Sequence, residues 1–188
     1  MEDIPLLDTT PSYHPKRPVN LILLFLLMIG IGGAIGATTN AVNGRVSEAY
    51  FRNVMAWDFE GIGIAAIFQG LFEGLIYGFI LGMIFTIGFA IITRKKAAWD
   101  FAKKQVNKII FTIYTSWITG GLIAILLAFT LPEMYDNAFI GVPEASLPRA
   151  AYAWVGGSIW GAMFGGLFAV IYGLMRTHHE WKKMIRKI

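Results

Sequence analysis

Apolar residues along this chain gather into four long runs, at about 19–41, 61–93, 109–131 and 150–175, parted by short polar segments. Each run reaches the roughly 20 residues that a helix needs to cross about 30 Å of hydrocarbon. The runs lack the two-residue alternation of barrel strands, and a lone strand in lipid would leave its peptide groups unpaired, so all four read as helices. The pattern predicts an all-α integral membrane protein with four transmembrane helices in a domain over 19–175. Residues 1–18 form a mobile tail and 176–188 a basic tail.

The segments between the runs carry weaker signals. The tail before Pro18 has prolines at 5, 11 and 15 and no periodicity. Lys16 and Arg17 ahead of an apolar stretch also suit a secretory signal, whose removal after Ala41 would leave three spans. The apolar core of about 19 residues exceeds the usual signal range of about 7 to 15, and Glu2, Asp3 and Asp8 precede it, so a retained anchor is expected. After the first run, Val46, Tyr50, Phe51, Val54 and Met55 recur at helical spacing behind Ser47, a good N-cap, which predicts a short helix in the membrane interface. The connection after the third run has prolines at 132, 143 and 148 and is expected to be an irregular loop. Trp57 and Trp154 at one pair of span ends, with Trp99 and Trp181 at the other, suit aromatic anchors at headgroup depth.

Composition supports the class: 188 residues that are 56% hydrophobic carry more apolar surface than a soluble domain of that size can hide. A net charge of +4 says little, but its placement says more. Of 16 Lys and Arg, 13 lie in the two tails and the 94–108 connection. The positive-inside rule therefore predicts cytoplasmic N- and C-termini. Arg94, Lys95, Lys96, Lys182, Lys183, Arg186 and Lys187 are expected to anchor on anionic headgroups of the lipid bilayer. Basic residues that flank spans in this way argue against a nucleic-acid partner. The compact layout points to a bacterial inner membrane.

Glycine changes the picture more. Of 21 glycines, 19 fall inside the four runs, where they do not serve as turn formers. Gly70, Gly74, Gly78 and Gly82 make a bare stripe along the second run, and Gly157, Gly161 and Gly165 repeat it in the fourth. Such stripes let helix backbones approach closely in lipid. Laid on the second half, Gly70, Gly74 and Gly78 fall on Gly157, Gly161 and Gly165, while Gly32 and Gly33 fall on Gly120 and Gly121. That overlay suggests two parallel two-helix repeats.

Glu73 is the one charged-type residue well inside a span, roughly 18 Å along its helix, with Gln69 one turn away. It sits about 60° round the helix from Gly70, beside the stripe, and no Lys or Arg lies in any run. An acid at this depth is a candidate functional group, because its insertion cost must be offset. Gln69, Tyr114, Thr115, Ser116 and Thr119 are its candidate partners, with water or a bound cation as alternatives. Thr112, Thr115, Ser116 and Thr119 are equally read as returning their hydrogen bonds to preceding carbonyls. A bland reading makes Glu73 itself a neutral, hydrogen-bonded packing element.

Other chemistry is thin. The chain has no cysteine, G-x-S-x-G, H-E-x-x-H or phosphate-binding loop, so no catalytic residue, cofactor or metal is expected. His178 and His179 are adjacent on a helix and diverge by about 100°. Glu48, Asp58, Glu60, Glu133 and Asp136 match no cation-binding loop. The sequence reads best as a non-enzymatic structural or assembly subunit, with a homo-oligomer or larger membrane complex as partner. The alternative is a small channel or transporter that uses Glu73 and Gln69 for a proton, cation or polar solute.

Overall fold

The computed structural model describes residues 18–186. Six helices follow one another: α1 (Leu21–Val46), α2 (Glu48–Met55), α3 (Ile62–Thr93), α4 (Trp99–Thr130), α5 (Pro132–Ala138) and α6 (Ser146–Ile185). Four of them, α1, α3, α4 and α6, are long and apolar enough to cross a membrane, so the protein is an integral membrane protein. The expected mobility of the first tail lies outside the described residues, as does Lys187.

Local chemistry sets the helix ends. The Asn20 side chain accepts from the Ile22 and Leu23 N–H groups at 3.0 and 3.1 Å, which caps α1. Extended Ser47 ends α1 and caps α2 through Tyr50 N–H at 3.4 Å, as its position before the helical spacing suggested. Val46, included in that spacing, belongs to α1. Gly61 opens α3 at φ 81°, a left-handed conformation that glycine adopts without a Cβ penalty. Arg94 and Lys95 close α3, also left-handed, with Lys95 N–H donating to Ala90 O at 3.2 Å.

Two segments differ from expectation. The connection after Leu131 is not wholly irregular, because its first part folds as α5. Pro132 stands in the first turn, where a fixed φ favours the helix and a missing N–H costs nothing. Helix α4 begins at Trp99, well before the apolar run. Its first turns bury Phe101, Ala102, Gln105 and Val106 and turn Lys103 and Lys104 outward, an amphipathic stretch that a search for unbroken apolar runs passes over. At 1.5 Å per residue, the 40 residues of α6 span about 60 Å, twice the hydrocarbon thickness, so its basic last turns stand outside the membrane.

Helix α1 packs along α3, and α4 along α6; the two pairs meet chiefly through α3 and α6. The largest core cluster, with Leu24, Phe85, Phe89, Phe101, Val170 and Trp181, ties all four long helices together at one end. At that end Val19 N–H donates to Ala97 O at 3.1 Å, so the start of α1 and the α3–α4 turn are joined. At the opposite end α2 lies over α3 and α6 through Phe51, Ile62, Ala66 and Val155.

Candidate binding pocket

Each pair is drawn together by glycine. A methyl group added at Gly78 would lie 3.0 Å from Gly32 Cα, and one at Gly36 would lie 2.8 Å from the Gly70 carbonyl carbon. Gly70, Gly74 and Gly78 thus face α1 backbone, and Gly82 faces the Met28 side chain. In the second pair a methyl at Gly161 would sit 3.0 Å from Gly120 Cα, Gly157 meets Gly120 and Ala124, and Gly165 meets Ser116. The registers differ by one turn from the sequence overlay. Gly32 packs on Gly74 and Gly78, whereas Gly120 packs on Gly157 and Gly161.

Between the two pairs lies a cavity of about 430 Å³. Its floor is formed by Met28, Leu81, Val106, Ile109 and Val170, next to the aromatic core, and its roof by Tyr50, Phe51 and Met55 of α2. Among the lining residues only Glu73, Ile76 and Met163 are exposed, and all three stand on α3 and α6. The mouth therefore opens sideways between those helices. The cause is visible in the α3–α6 contact. It begins at Tyr77, whose hydroxyl donates to Met163 O, and continues through Gly166 against Leu81 to Gly88 against Leu174. Toward α2 from Tyr77 the cavity lies between the helices, lined by Gln69 and Glu73 of α3 and by Ile159 and Ala162 of α6. On the far side the Thr38 and Tyr114 hydroxyls, 2.7 Å apart, join α1 to α4.

Glu73 and Gln69, one turn apart, share the mouth. Gln69 Nε2 donates to Glu73 Oε1 at 2.9 Å and to the Met55 sulfur at 3.7 Å. The Gln69 Oε1 atom is buried with no hydrogen-bond partner among the described residues, and leaving such an acceptor unmet costs about 1–3 kcal/mol. In the roof, burial first, then nearby Tyr152 and Glu73, raise the pKa of Tyr50.

The other candidate partners lie elsewhere. Tyr114 is engaged with Thr38, Thr115 returns its hydroxyl to Phe111 O at 2.9 Å, and Thr119 is exposed away from the cavity. Ser116 packs against Gly165 in the α4–α6 seam. Arg94, Lys95, Lys96, Lys182, Lys183 and Arg186 are exposed at the end of the bundle that holds the α3–α4 turn.

Two polar groupings escaped sequence reasoning. Asn40 and Asn43, three residues apart on α1, are buried: Asn43 Nδ2 donates to Asn40 Oδ1 at 3.4 Å, and Ser158 Oγ donates to Asn43 Oδ1 at 3.1 Å. Asn40 also lines the cavity. Their spacing was the signal, hidden because the apolar run seemed to end at 41. Outside the membrane, Glu180 accepts from Lys108 Nζ at 2.7 Å, Gln105 Nε2 at 2.9 Å and Arg176 at 3.1 Å. Burial pushes its pKa up, but the Lys108 and Gln105 hydrogen bonds and the Lys108 and Lys104 charges outweigh this and bring it down to about 2.

Among the described residues no group of three His, Asp or Glu side chains is placed to hold a metal ion. Comparison with known protein families, curated proteins and solved structures finds no match to this chain.

Proposed function

We propose that this chain is a non-enzymatic membrane carrier, taking a small lipid-soluble molecule from the bilayer into the cavity between its two helix pairs. The observation behind this reading is the sideways-opening cavity with the Gln69–Glu73 pair at its mouth. A volume of about 430 Å³ with mostly apolar walls and a few convergent polar groups is typical of small-molecule sites. A continuous water-filled channel fits less well, since the aromatic core closes one end and α2 covers the other. Two tightly packed pairs joined by sparser contacts are the arrangement in which one body rocks against the other.

The rest of the reading follows the charges and the glycines. The basic end faces the cytoplasm by the positive-inside rule, and the compact four-span layout with that basic face favours a bacterial inner membrane. The two pairs descend from a duplicated unit, with the second slipped by one turn. In the contact register Gln69 corresponds to Tyr152 and Glu73 to Gly156, so the acid belongs to the first half alone.

A packing or assembly subunit is the second reading. It is favoured by the outward side of α1, where Gly30 and Ala34 are exposed and a methyl added at Gly30 would meet nothing within 4 Å.

The test of the carrier reading is photolabelling of the protein in lipid nanodiscs with a decyl diazirine alcohol, mapped by mass spectrometry. Expected labels include the interior residues Tyr50 and Ile113, as well as lipid-facing Phe111. In Ala162→Phe, which fills the cavity, the interior labels should vanish and the Phe111 label remain. Equal interior labelling in both proteins, or none in either, overturns the carrier reading.

A further inference from the structure

Two acceptors stand unspent side by side at the mouth. Glu73 offers a second carboxylate oxygen beyond the one held by Gln69, and the Gln69 carbonyl oxygen has no partner among the described residues. Of the donors in the lining, the Tyr77 hydroxyl is spent on Met163 O and the Thr39 hydroxyl on Ile35 O, while the Tyr50 hydroxyl stands in the roof and the Asn40 amide on α1. No Lys, Arg or His lines the cavity, so an acidic ligand would meet Glu73 with no countercharge. The lining also presents three aromatic rings, Tyr50, Phe51 and Tyr77, and aromatic faces attract cations. An aliphatic wall continues outward through Ile76 and Met163, which are 49% and 41% exposed.

We infer that the ligand is an amphipathic amine: an aliphatic or aromatic body inside the cavity and a protonated nitrogen at the mouth, bound by the Glu73 carboxylate and the Gln69 carbonyl oxygen. An ammonium group has three donors and no acceptor, the complement of two unspent acceptors side by side. Pairing with a carboxylate makes those hydrogen bonds charge-assisted, about twice as strong as neutral ones. The amine offsets the cost of keeping an acid at bilayer depth with no cationic side chain nearby. A cation without an apolar body would leave the floor and roof unfilled. A neutral alcohol would satisfy one acceptor and leave the carboxylate's charge unanswered. The inference rests on the carrier reading and adds the chemistry of the head group.

The test uses the wild-type protein in phosphatidylcholine nanodiscs with matched decyl diazirine probes ending in an amine, a hydroxyl or a carboxylate. The amine should label the pocket residues Tyr50 and Ile113 roughly tenfold more than the alcohol at equal membrane concentration, and the carboxylate least. Unlabelled decylamine should compete the label away, and decanol should not. In Glu73→Gln the amine-to-alcohol ratio should fall to within about twofold. In Glu144→Gln, which removes a carboxylate from an exposed loop, it should stay. Equal pocket labelling by amine and alcohol in the wild type overturns the amine assignment and leaves the carrier reading standing. A preference that survives Glu73→Gln, or is lost with Glu144→Gln, also overturns the assignment. Pocket labelling by no probe above the Ala162→Phe level overturns the carrier reading itself.

Discussion

Gly74 and Gly30 lie on the same pair of helices, yet substitution should affect them oppositely. At Gly74 an added carbon meets Gly32 backbone, 2.9 Å from its carbonyl carbon, and backbone cannot turn aside as a side chain can. Gly74→Leu should therefore cost about 3 kcal/mol, the upper part of the usual overpacking range, read as an earlier thermal unfolding in detergent. Gly30→Leu should shift unfolding by no more than about 0.5 kcal/mol. If it also dissolves an oligomer, the subunit reading gains. Glu180 supplies a prediction in pH. Its folded pKa of about 2 lies below the ordinary 4.5, so its stabilising effect is present above pH 4.5 and is lost as pH falls toward 2. The stability difference between wild type and Glu180→Gln should shrink across that window in acid denaturation. At this scale the sequence disclosed Glu73 and Gln69, because a carboxyl inside an apolar run is conspicuous and residues four apart share a helix face. It did not disclose where Tyr114, Thr115 and Thr119 would point, since that depends on how α4 turns about its axis against α6.

Among the elements, α2 has the most to do for its length, since eight residues roof the cavity. Its N-terminus rests on one side-chain cap, the Ser47 hydroxyl. Ser47→Ala should loosen that helix by about 1 kcal/mol, visible as faster hydrogen exchange over Glu48–Met55 with α3 and α6 unchanged. This helix was legible because its apolar positions keep a helical period in an otherwise polar segment. The four long helices were legible by hydropathy, but their ends were not. Hydropathy marks where the chain meets lipid, whereas α4 and α6 run on past the lipid on amphipathic turns whose buried faces become apparent only when the partner is in place. Helix α5 was missed for a related reason: proline was read as a breaker, although in a first turn it favours the helix.

For the molecule as a whole, the proposed carrier function depends on motion between two bodies. Because the chain lacks cysteine, paired cysteines can be placed without interference. Thr38 and Tyr114 join the pairs on the side away from the mouth, whereas the Phe25 and Phe79 rings, 5.3 Å apart, lie within the first pair. Linking Thr38→Cys to Tyr114→Cys with a short bis-maleimide should slow probe release from the cavity several-fold. Linking Phe25→Cys to Phe79→Cys should leave release unchanged, and equal effects of the two bridges would show that the pairs do not move apart. The cavity itself was not legible, because it arises from the angle at which two close pairs meet and no local pattern encodes that angle. The tightness of each pair carries a consequence for biogenesis. Both partners of the Gly32–Gly74 crossing precede α4 in the chain and are synthesised before it. The leading hairpin of the nascent chain can thus zip shut on its own during insertion, and the trailing hairpin docks onto a finished surface.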